Sequence, residues 1–156
     1  MKKTVIITGA TDGIGKALAI LLSKEYNLAL CGRNEDKMKQ LTQNLGDCHV
    51  YAQCFDITDR EKRHTFCENV KIEFGSADVL INNAGLVIGV DKEHEGDLDE
   101  WDIVIDTNIK SLLAMTRMVV PGMVGRGRGH IINIGSIAGD AAYPGGSVYC
   151  ATKAAV

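Results

Sequence analysis

The sequence predicts an α/β fold in which a doubly wound parallel sheet carries helices on both faces. Five short apolar runs alternate with segments whose apolar residues recur at helical spacing. The runs are almost continuously apolar, which is expected for strands covered on both faces. Strands that alternate with helices in this way form a parallel sheet. Because 156 residues are one domain's worth of chain, we predict a single domain over residues 1–156.

The elements follow one another at regular intervals, and a glycine directly follows each of the first two strands. The predicted strands span residues 5–8, 28–31, 50–55, 79–81 and 131–134. Helical spacing predicts helices over residues 14–24 and 36–45. A capping box at residues 58–61 predicts the start of a third helix. The same spacing predicts a longer helix from residue 98 to about residue 123, with a break near Thr107.

The composition is that of an ordinary water-soluble domain. Hydrophobic residues make up 46% and charged residues 24% of the chain, and the formal net charge is -3 at pH 7. Basic residues are scattered, so nothing predicts binding to nucleic acid or to an anionic membrane. The first apolar stretch is too short for a signal peptide, and no run approaches the length of a membrane span. We therefore predict a cytoplasmic protein.

The cysteines and the charged segments do not indicate a metal site or a disulfide framework. The five cysteines are odd in number and include no CxxC pair, so we predict buried or half-buried thiols. Cys150 is either a reactive thiol or a residue that packs at the start of a helix, and we favour packing. Residues 91–97 and the basic segment 126–128 are predicted to be solvated loops.

A glycine-rich turn follows the first strand and opens the first helix. It places Gly9, Gly13 and Gly15 where a phosphate needs close backbone N–H groups that a Cβ would obstruct. The positive end of the helix dipole lies at the same place. The strand-turn-helix context favours a dinucleotide-binding turn over an ordinary tight turn.

The spacing G-x-x-x-G-x-G after a threonine resembles the coenzyme loop of the short-chain dehydrogenases/reductases, and the resemblance covers the entire chain. Residues 82–85 read Asn-Asn-Ala-Gly, like the family motif that lines the cofactor cleft, and residues 56–57 resemble its adenine-contacting pair. The resemblance implies a Rossmann-type domain and four catalytic residues: Asn108, Ser136, Tyr149 and Lys153. It also implies the cofactor-binding residues Gly9, Thr11, Gly13, Ile14, Gly15, Asp56, Ile57, Asn83, Ala84, Gly85, Tyr149 and Lys153.

Two further stretches, residues 106–110 and 129–136, resemble the branch of this family that oxidises serine, allo-threonine and related 3-hydroxy acids. The resemblance implies an oxidoreductase that moves a hydride between a nicotinamide cofactor and a small-molecule hydroxy acid or its carbonyl product. It also implies a homo-oligomer, a dimer or tetramer, for the full-length form.

Tyr149 and Lys153 are suited to proton transfer. A carbinol gives up hydride only if its hydroxyl loses a proton, and free tyrosine titrates near pH 10. An ammonium four residues away on the same helix face favours the phenolate. Ser136 would hydrogen-bond the substrate oxygen. The resemblance implies that Asn108 anchors a water that relays protons through Lys153. The alternative is a structural role in which Asn108 bonds a carbonyl at the helix break, and the two roles are compatible.

The end of the second strand bears on the choice of coenzyme. An NAD site typically has a carboxylate there that bonds the ribose hydroxyl, whereas an NADP site typically has an arginine that binds the 2′-phosphate. The chain offers Arg33 and Asn34 and no acid before Glu35, which favours NADP over NAD. A surface arginine with a structural role only is the alternative.

Family members of this branch run further than Val156. We therefore expect a chain that is C-terminally incomplete, truncated after the fifth strand and the start of the following helix, and that alone binds coenzyme weakly and turns over poorly. Two alternatives to an enzyme are a non-catalytic nucleotide-binding module and an inactive truncated fragment. Coenzyme binding without turnover would indicate the module, and the loss of both would indicate the fragment.

Overall fold

The computed structural model describes residues 2–89 and 91–156, and these form one five-stranded parallel sheet. The strands are β1 (Thr4–Thr8), β2 (Asn27–Gly32), β3 (Val50–Cys54), β4 (Val79–Asn82) and β5 (His130–Asn133). Their spatial order is β3-β2-β1-β4-β5. The predicted doubly wound parallel sheet is therefore confirmed. The first and last residues of each strand lie within one residue of the predicted ones. The order reverses between β1 and β4, and such sheets bind ligands at the carboxyl ends of the strands at this point.

Helices connect the strands and cover both faces of the sheet. They are α1 (Gly13–Leu22), α2 (Glu35–Gln43), α3 (Arg60–Phe74), α4 (Leu98–Ile105), α5 (Ser111–Gly125) and α6 (Ser147–Ala155). A π-helical segment, Asp106–Lys110, joins α4 to α5, and a 3₁₀ turn, Ile137–Gly139, follows β5. The predicted break near Thr107 is confirmed as this π-helical segment.

The core has two layers, one on each side of the sheet. On one side Ile6, Phe66 and Met115 pack together between the sheet and helices α3 and α5. On the other side Ile7 and Leu41 pack with the sheet against α1 and α2. Adjacent residues of β1 are thus buried in opposite layers, which explains why its central residues, 5–7, are continuously apolar.

Two local predictions are wrong. The capping box at residues 58–61 is absent, because the Thr58 hydroxyl donates to Asp56 Oδ1 at 2.7 Å. Asp59 caps α3 instead, and its Oδ1 accepts from the Lys62 N–H at 3.0 Å. Residues 126–128 are only in part a solvated loop, because the Arg126 guanidinium donates to the carbonyl of Ala77 at 2.7 Å and is half-buried.

The remaining expectations concern thiols, metals and membranes. All five cysteines are free thiols that are buried or half-buried, as predicted, and Cys150 is buried where α6 begins. Among the described residues, no cluster of His, Cys, Asp or Glu side chains is arranged to hold a metal ion. Within the same part of the chain, no helix is long and apolar enough to cross a membrane.

Candidate active site

A hydrogen-bond network joins the carboxyl ends of β1 and β4. The buried Thr8 hydroxyl accepts from the backbone N–H groups of Asn83 and Ala84, both at 3.0 Å. The Asn83 amide donates to the carbonyls of Thr8 at 3.0 Å and Gly9 at 3.1 Å. These bonds fix the glycine turn against the loop after β4, so the two lie in contact across the switch point of the sheet.

The glycines of the turn serve different physical needs. Gly9 has φ +65°, and a Cβ there would lie 2.9 Å from Ala84 Cα. A Cβ on Gly15 would collide with the carbonyl oxygen of Gly9 and approach the Asn83 amide to 2.5 Å. Gly13 has φ +48° and faces open space. The turn is therefore tightly packed behind and open in front, which fits a phosphate against the N-terminus of α1.

We expect Gly15→Ala to destabilise the turn because the new methyl has backbone on one side and a bonded amide on the other. The free energy of unfolding should fall by about 1–3 kcal/mol, and binding of a dinucleotide should weaken. Urea unfolding and ligand titration measure the two effects. The matched control is Gly125→Ala at the end of α5, where a Cβ meets nothing within 4 Å. Equal stability of the two variants would show that the close approach at Gly15 is unimportant.

A two-lobed cleft opens in front of the turn. The first lobe, about 300 Å³, lies toward β2 and β3, and the second, about 460 Å³, lies toward β5 and α6. The lobes share Gly9, Asp12, Ala84, Gly85 and Leu86. The glycine turn and the loop after β4 thus form the floor between two connected spaces.

The first lobe gathers the side chains predicted for the adenosine end. Arg33, Asn34, Asp56 and Ile57 all line it, and Arg33 Nη1 lies 3.9 Å from Asp56 Oδ2. Burial acts to raise the pKa of Asp56, but hydrogen bonds from Thr58 and the charge of Arg33 outweigh it and hold that pKa below its ordinary value. Asp56 is therefore an ionised acceptor at neutral pH.

Three other predicted residues shape the walls of the cleft. Thr11 lines the first lobe and packs over Gly32, where a Cβ would lie 2.7 Å from the threonine methyl. Asn34 caps α2, and its Oδ1 accepts from the Lys37 N–H at 2.8 Å. Ile14 lines the second lobe and is 58% exposed, so it presents an apolar surface to any ligand there.

Asn108 is buried in the π-helical segment and connects three parts of the site. Its Oδ1 accepts from the Leu86 N–H at 2.8 Å, and its amide donates to the Leu86 carbonyl at 2.9 Å. The same amide donates to the Thr152 hydroxyl at 3.0 Å, which in turn donates to the Tyr149 carbonyl. The side chain therefore holds the loop after β4 against α6 and does not bond a carbonyl at the helix break.

Tyr149 and Lys153 both line the second lobe from α6. Lys153 Nζ lies 6.0 Å from the centroid of the Tyr149 ring and donates to the Ile134 carbonyl at 2.9 Å. Half-burial of this ammonium lowers the pKa of Lys153 below its ordinary value. Gly85 leaves room for both partners, because a Cβ there would lie 3.5 Å from Lys153 Nζ and 3.3 Å from Asn108 Oδ1.

Ser136 lies between the end of β5 and the 3₁₀ turn, which it caps. Its Oγ accepts from the Ala138 N–H at 3.2 Å and so starts the 3₁₀ turn, while its neighbours Ile134 and Gly135 line the second lobe. The 3₁₀ turn packs closely on α6, since a Cβ on Gly139 would lie 2.6 Å from the carbonyl oxygen of Lys153. The serine and the Tyr149 helix are therefore joined through one packed unit.

The chain resembles known dehydrogenases over almost its whole length. A model of the short chain dehydrogenase family matches residues 3–156. The NADP-dependent 3-hydroxy acid dehydrogenase YdfG of Shigella flexneri is 41% identical over 153 residues, which are 97% of this chain and 61% of that protein. The NADP-dependent 3-hydroxy acid dehydrogenase of Schizosaccharomyces pombe is 39% identical over 159 residues and is covered to the same share.

Solved structures give the same result. The serine dehydrogenase of Escherichia coli is 40% identical with a TM-score of 0.90, over 97% of this chain and 70% of that one. The closed form of a serine dehydrogenase in complex with NADP⁺ is also 40% identical and gives a TM-score of 0.91 over 97% of this chain and 61% of that one. The chain thus spans about three fifths of the length of the curated relatives it matches. On the match of residues 3–156, this chain belongs to the short-chain dehydrogenase family.

Proposed function

We propose that the protein is an NADP-dependent oxidoreductase of small 3-hydroxy acids such as serine or allo-threonine. The observation that carries the proposal is that Tyr149 and Lys153 line the same lobe as the glycine turn, so a proton acceptor and a phosphate cradle share one cleft. The similarity to dehydrogenases of 3-hydroxy acids and to a serine dehydrogenase supports this substrate class.

The residues present fit a dinucleotide. We propose that the glycine turn and the N-terminus of α1 hold its pyrophosphate, that Asp56 and Ile57 hold its adenine end, and that Asn83, Ala84 and Gly85 form the floor. A side chain at position 13 would project into the open space in front of the turn, so glycine leaves this space free for a ligand. When bound, the nicotinamide accepts or supplies the hydride of the reaction.

Tyr149 is the proposed base that removes the carbinol proton. Free tyrosine has a pKa near 10, so a base that works near neutral pH needs its phenolate stabilised. Lys153 Nζ lies 6.0 Å from the centroid of the Tyr149 ring, and it is the proposed source of the positive charge that would stabilise a phenolate there. Ser136 is the proposed hydrogen-bond partner that holds the substrate oxygen against the phenol.

Lys153 must stay protonated for this role, and its partial burial acts against the charge. Half-burial lowers its pKa, which favours the neutral amine. The hydrogen bond to the Ile134 carbonyl needs an N–H donor and orients the group toward the second lobe. Asn108 is a proposed positioning residue, because its bonds to Leu86 and Thr152 fix the end of α6 that carries the tyrosine and lysine.

A titration of the purified chain tests the coenzyme. Arg33 is exposed in the first lobe, and a charge-assisted contact to a phosphate is worth roughly 1.5–3 kcal/mol, or about ten- to a hundredfold in affinity. NADP⁺ should bind more tightly than NAD⁺, and Arg33→Ala should erase most of the difference. Arg128→Ala, an exposed arginine beside Asp78, is the matched control and should leave it intact. Equal affinities in the unmutated chain would overturn the NADP assignment.

A steady-state assay tests the activity itself. The purified protein is mixed with NADP⁺ and serine, allo-threonine or another 3-hydroxy acid, and formation of NADPH is followed. Turnover of any of these acids supports the enzyme. Tight NADP⁺ binding without turnover of any hydroxy acid would instead favour a non-catalytic nucleotide-binding module.

A further inference from the structure

An ion pair spans the entrance to the first lobe. Lys37, in the first turn of α2, places its Nζ against Oδ2 of Asp12 in the glycine turn. The other oxygen, Oδ1, accepts from the Gly13 N–H at 2.9 Å. Both side chains line the lobe together with Arg33, and both are at least half exposed. An exposed cation and its carboxylate partner therefore lie at the wall of the lobe in which the predicted ligand would bind.

The lobe holds two cations, and each has a carboxylate partner. Lys37 pairs with Asp12, and Arg33 lies 3.9 Å from Asp56. The hydrogen bond from Lys37, with smaller contributions from the Gly13 N–H and the lysine charge, lowers the pKa of Asp12. Both pairs are solvent-exposed, and exposed ion pairs are weak. An incoming phosphate can therefore replace either carboxylate at small cost.

We propose that Lys37 is a second cation for the 2′-phosphate of NADP, and that Asp12 is an internal competitor that holds Lys37 in the unliganded protein. The proposal rests on the proposed function and adds a specificity-determining pair to it. Phosphate oxygens form strong charge-assisted bonds with more than one cation at a time. Lys37 suits the exchange because its ammonium is a point charge on a flexible stem, whereas the guanidinium of Arg33 has a fixed planar geometry.

Asp12 acts against anions in a second way. Its carboxylate accepts from the Gly13 N–H, one of the donors at the N-terminus of α1 that an anion would use. Once Lys37 turns to a phosphate, the charge of Asp12 is left beside the pyrophosphate position. Asp12→Asn removes the charge and keeps an oxygen that can accept from Gly13, so the cap of α1 is preserved.

The test is a double-mutant cycle read by binding. The unmutated chain, Asp12→Asn, Lys37→Gln and the double variant are each titrated with NADP⁺ and with NAD⁺ by calorimetry at low salt. Asp12→Asn should tighten NADP⁺ roughly three- to tenfold and NAD⁺ less. In the Asp12→Asn background, Lys37→Gln should weaken NADP⁺ by a similar factor and leave NAD⁺ unchanged.

Single Lys37→Gln should weaken both dinucleotides, because it leaves Asp12 unpaired near the pyrophosphate position. Lys39→Gln is the matched control, since Lys39 is exposed on the same helix and does not line the lobe. It should change neither affinity by more than about twofold.

The outcomes separate this proposal from the function on which it rests. Suppose that NADP⁺ is preferred but Lys37→Gln in the Asp12→Asn background weakens the binding of NADP⁺ and NAD⁺ equally. Lys37 then does not contact the 2′-phosphate, and only this inference fails. If Asp12→Asn leaves the affinity for NADP⁺ unchanged, Asp12 does not compete with the phosphate for Lys37. If no variant binds either dinucleotide while circular dichroism shows a folded chain, the proposed function itself fails, and this inference fails with it.

Discussion

In a full-length version of the protein, Tyr149→Phe is expected to abolish turnover and to leave dinucleotide affinity within about threefold of the unmutated form. The substitution removes a single oxygen, and a positioned general base contributes about 10²–10⁴ in rate. The ring stays in place because it is half-buried on α6, while the bonds that fix this helix run through Thr152 and Asn108 and not through the phenol oxygen. Proton chemistry should therefore be lost without loss of the cleft.

The measurement is kcat with a 3-hydroxy acid and NADP⁺, together with the affinity for NADP⁺ by titration. Tyr26→Phe is the matched control, because this tyrosine packs against the core at the start of β2, away from the cleft. It should retain the full rate. If Tyr149→Phe keeps more than about a tenth of the rate, the tyrosine is not the base.

The sheet could be predicted closely because burial on both faces leaves a direct trace in the sequence. Ile6 and Ile7 are both fully buried, in opposite layers, and only a strand covered on both faces needs two such neighbours. The start of α3 was harder to place. Thr58 and Asp59 are both good capping residues. The Thr58 hydroxyl donates to the carboxylate of Asp56, so Asp59 and not Thr58 caps the helix.

The candidate site could be predicted residue by residue only where a motif marked it. The glycine turn, Asp56, Asn83, Tyr149 and Lys153 all line the cleft, and their roles in cofactor binding and catalysis stay predictions. The partners that hold them were not predicted. Asn108 bonds Leu86 and Thr152, which lie 22 and 44 residues away in the chain, and no local pattern indicates such pairs.

The charges at the entrance were also missed. Asp12 is a non-glycine position within the glycine turn, and Lys37 is one of the two exposed lysines of α2. The two residues are 25 positions apart in the chain, and only the three-dimensional fold brings them together. Exposed side chains have many possible partners, so sequence spacing alone does not select one of them.

Lys153→Ala is expected to damage both turnover and coenzyme binding, unlike Tyr149→Phe. The ammonium lines the second lobe beside the glycine turn, so its removal takes away a cation from the ligand as well as the charge that favours the phenolate. We expect the rate to fall by about 10²-fold or more and the affinity for NADP⁺ to fall by about tenfold. Lys24→Ala, an exposed lysine just beyond the end of α1, is the control and should change neither.

The same residue makes a distinct prediction about pH. Burial lowers the pKa of Lys153 in the folded chain, so between that pKa and the ordinary lysine value the unfolded chain binds more protons than the folded one. The free energy of unfolding of the unmutated chain should therefore rise, relative to Lys153→Ala, as the pH increases toward the ordinary lysine range. Urea unfolding of both chains at neutral and at alkaline pH measures this difference. A pH-independent difference would mean that Lys153 titrates as it does in the unfolded chain. Burial would then not limit the charge of Lys153 in the folded chain.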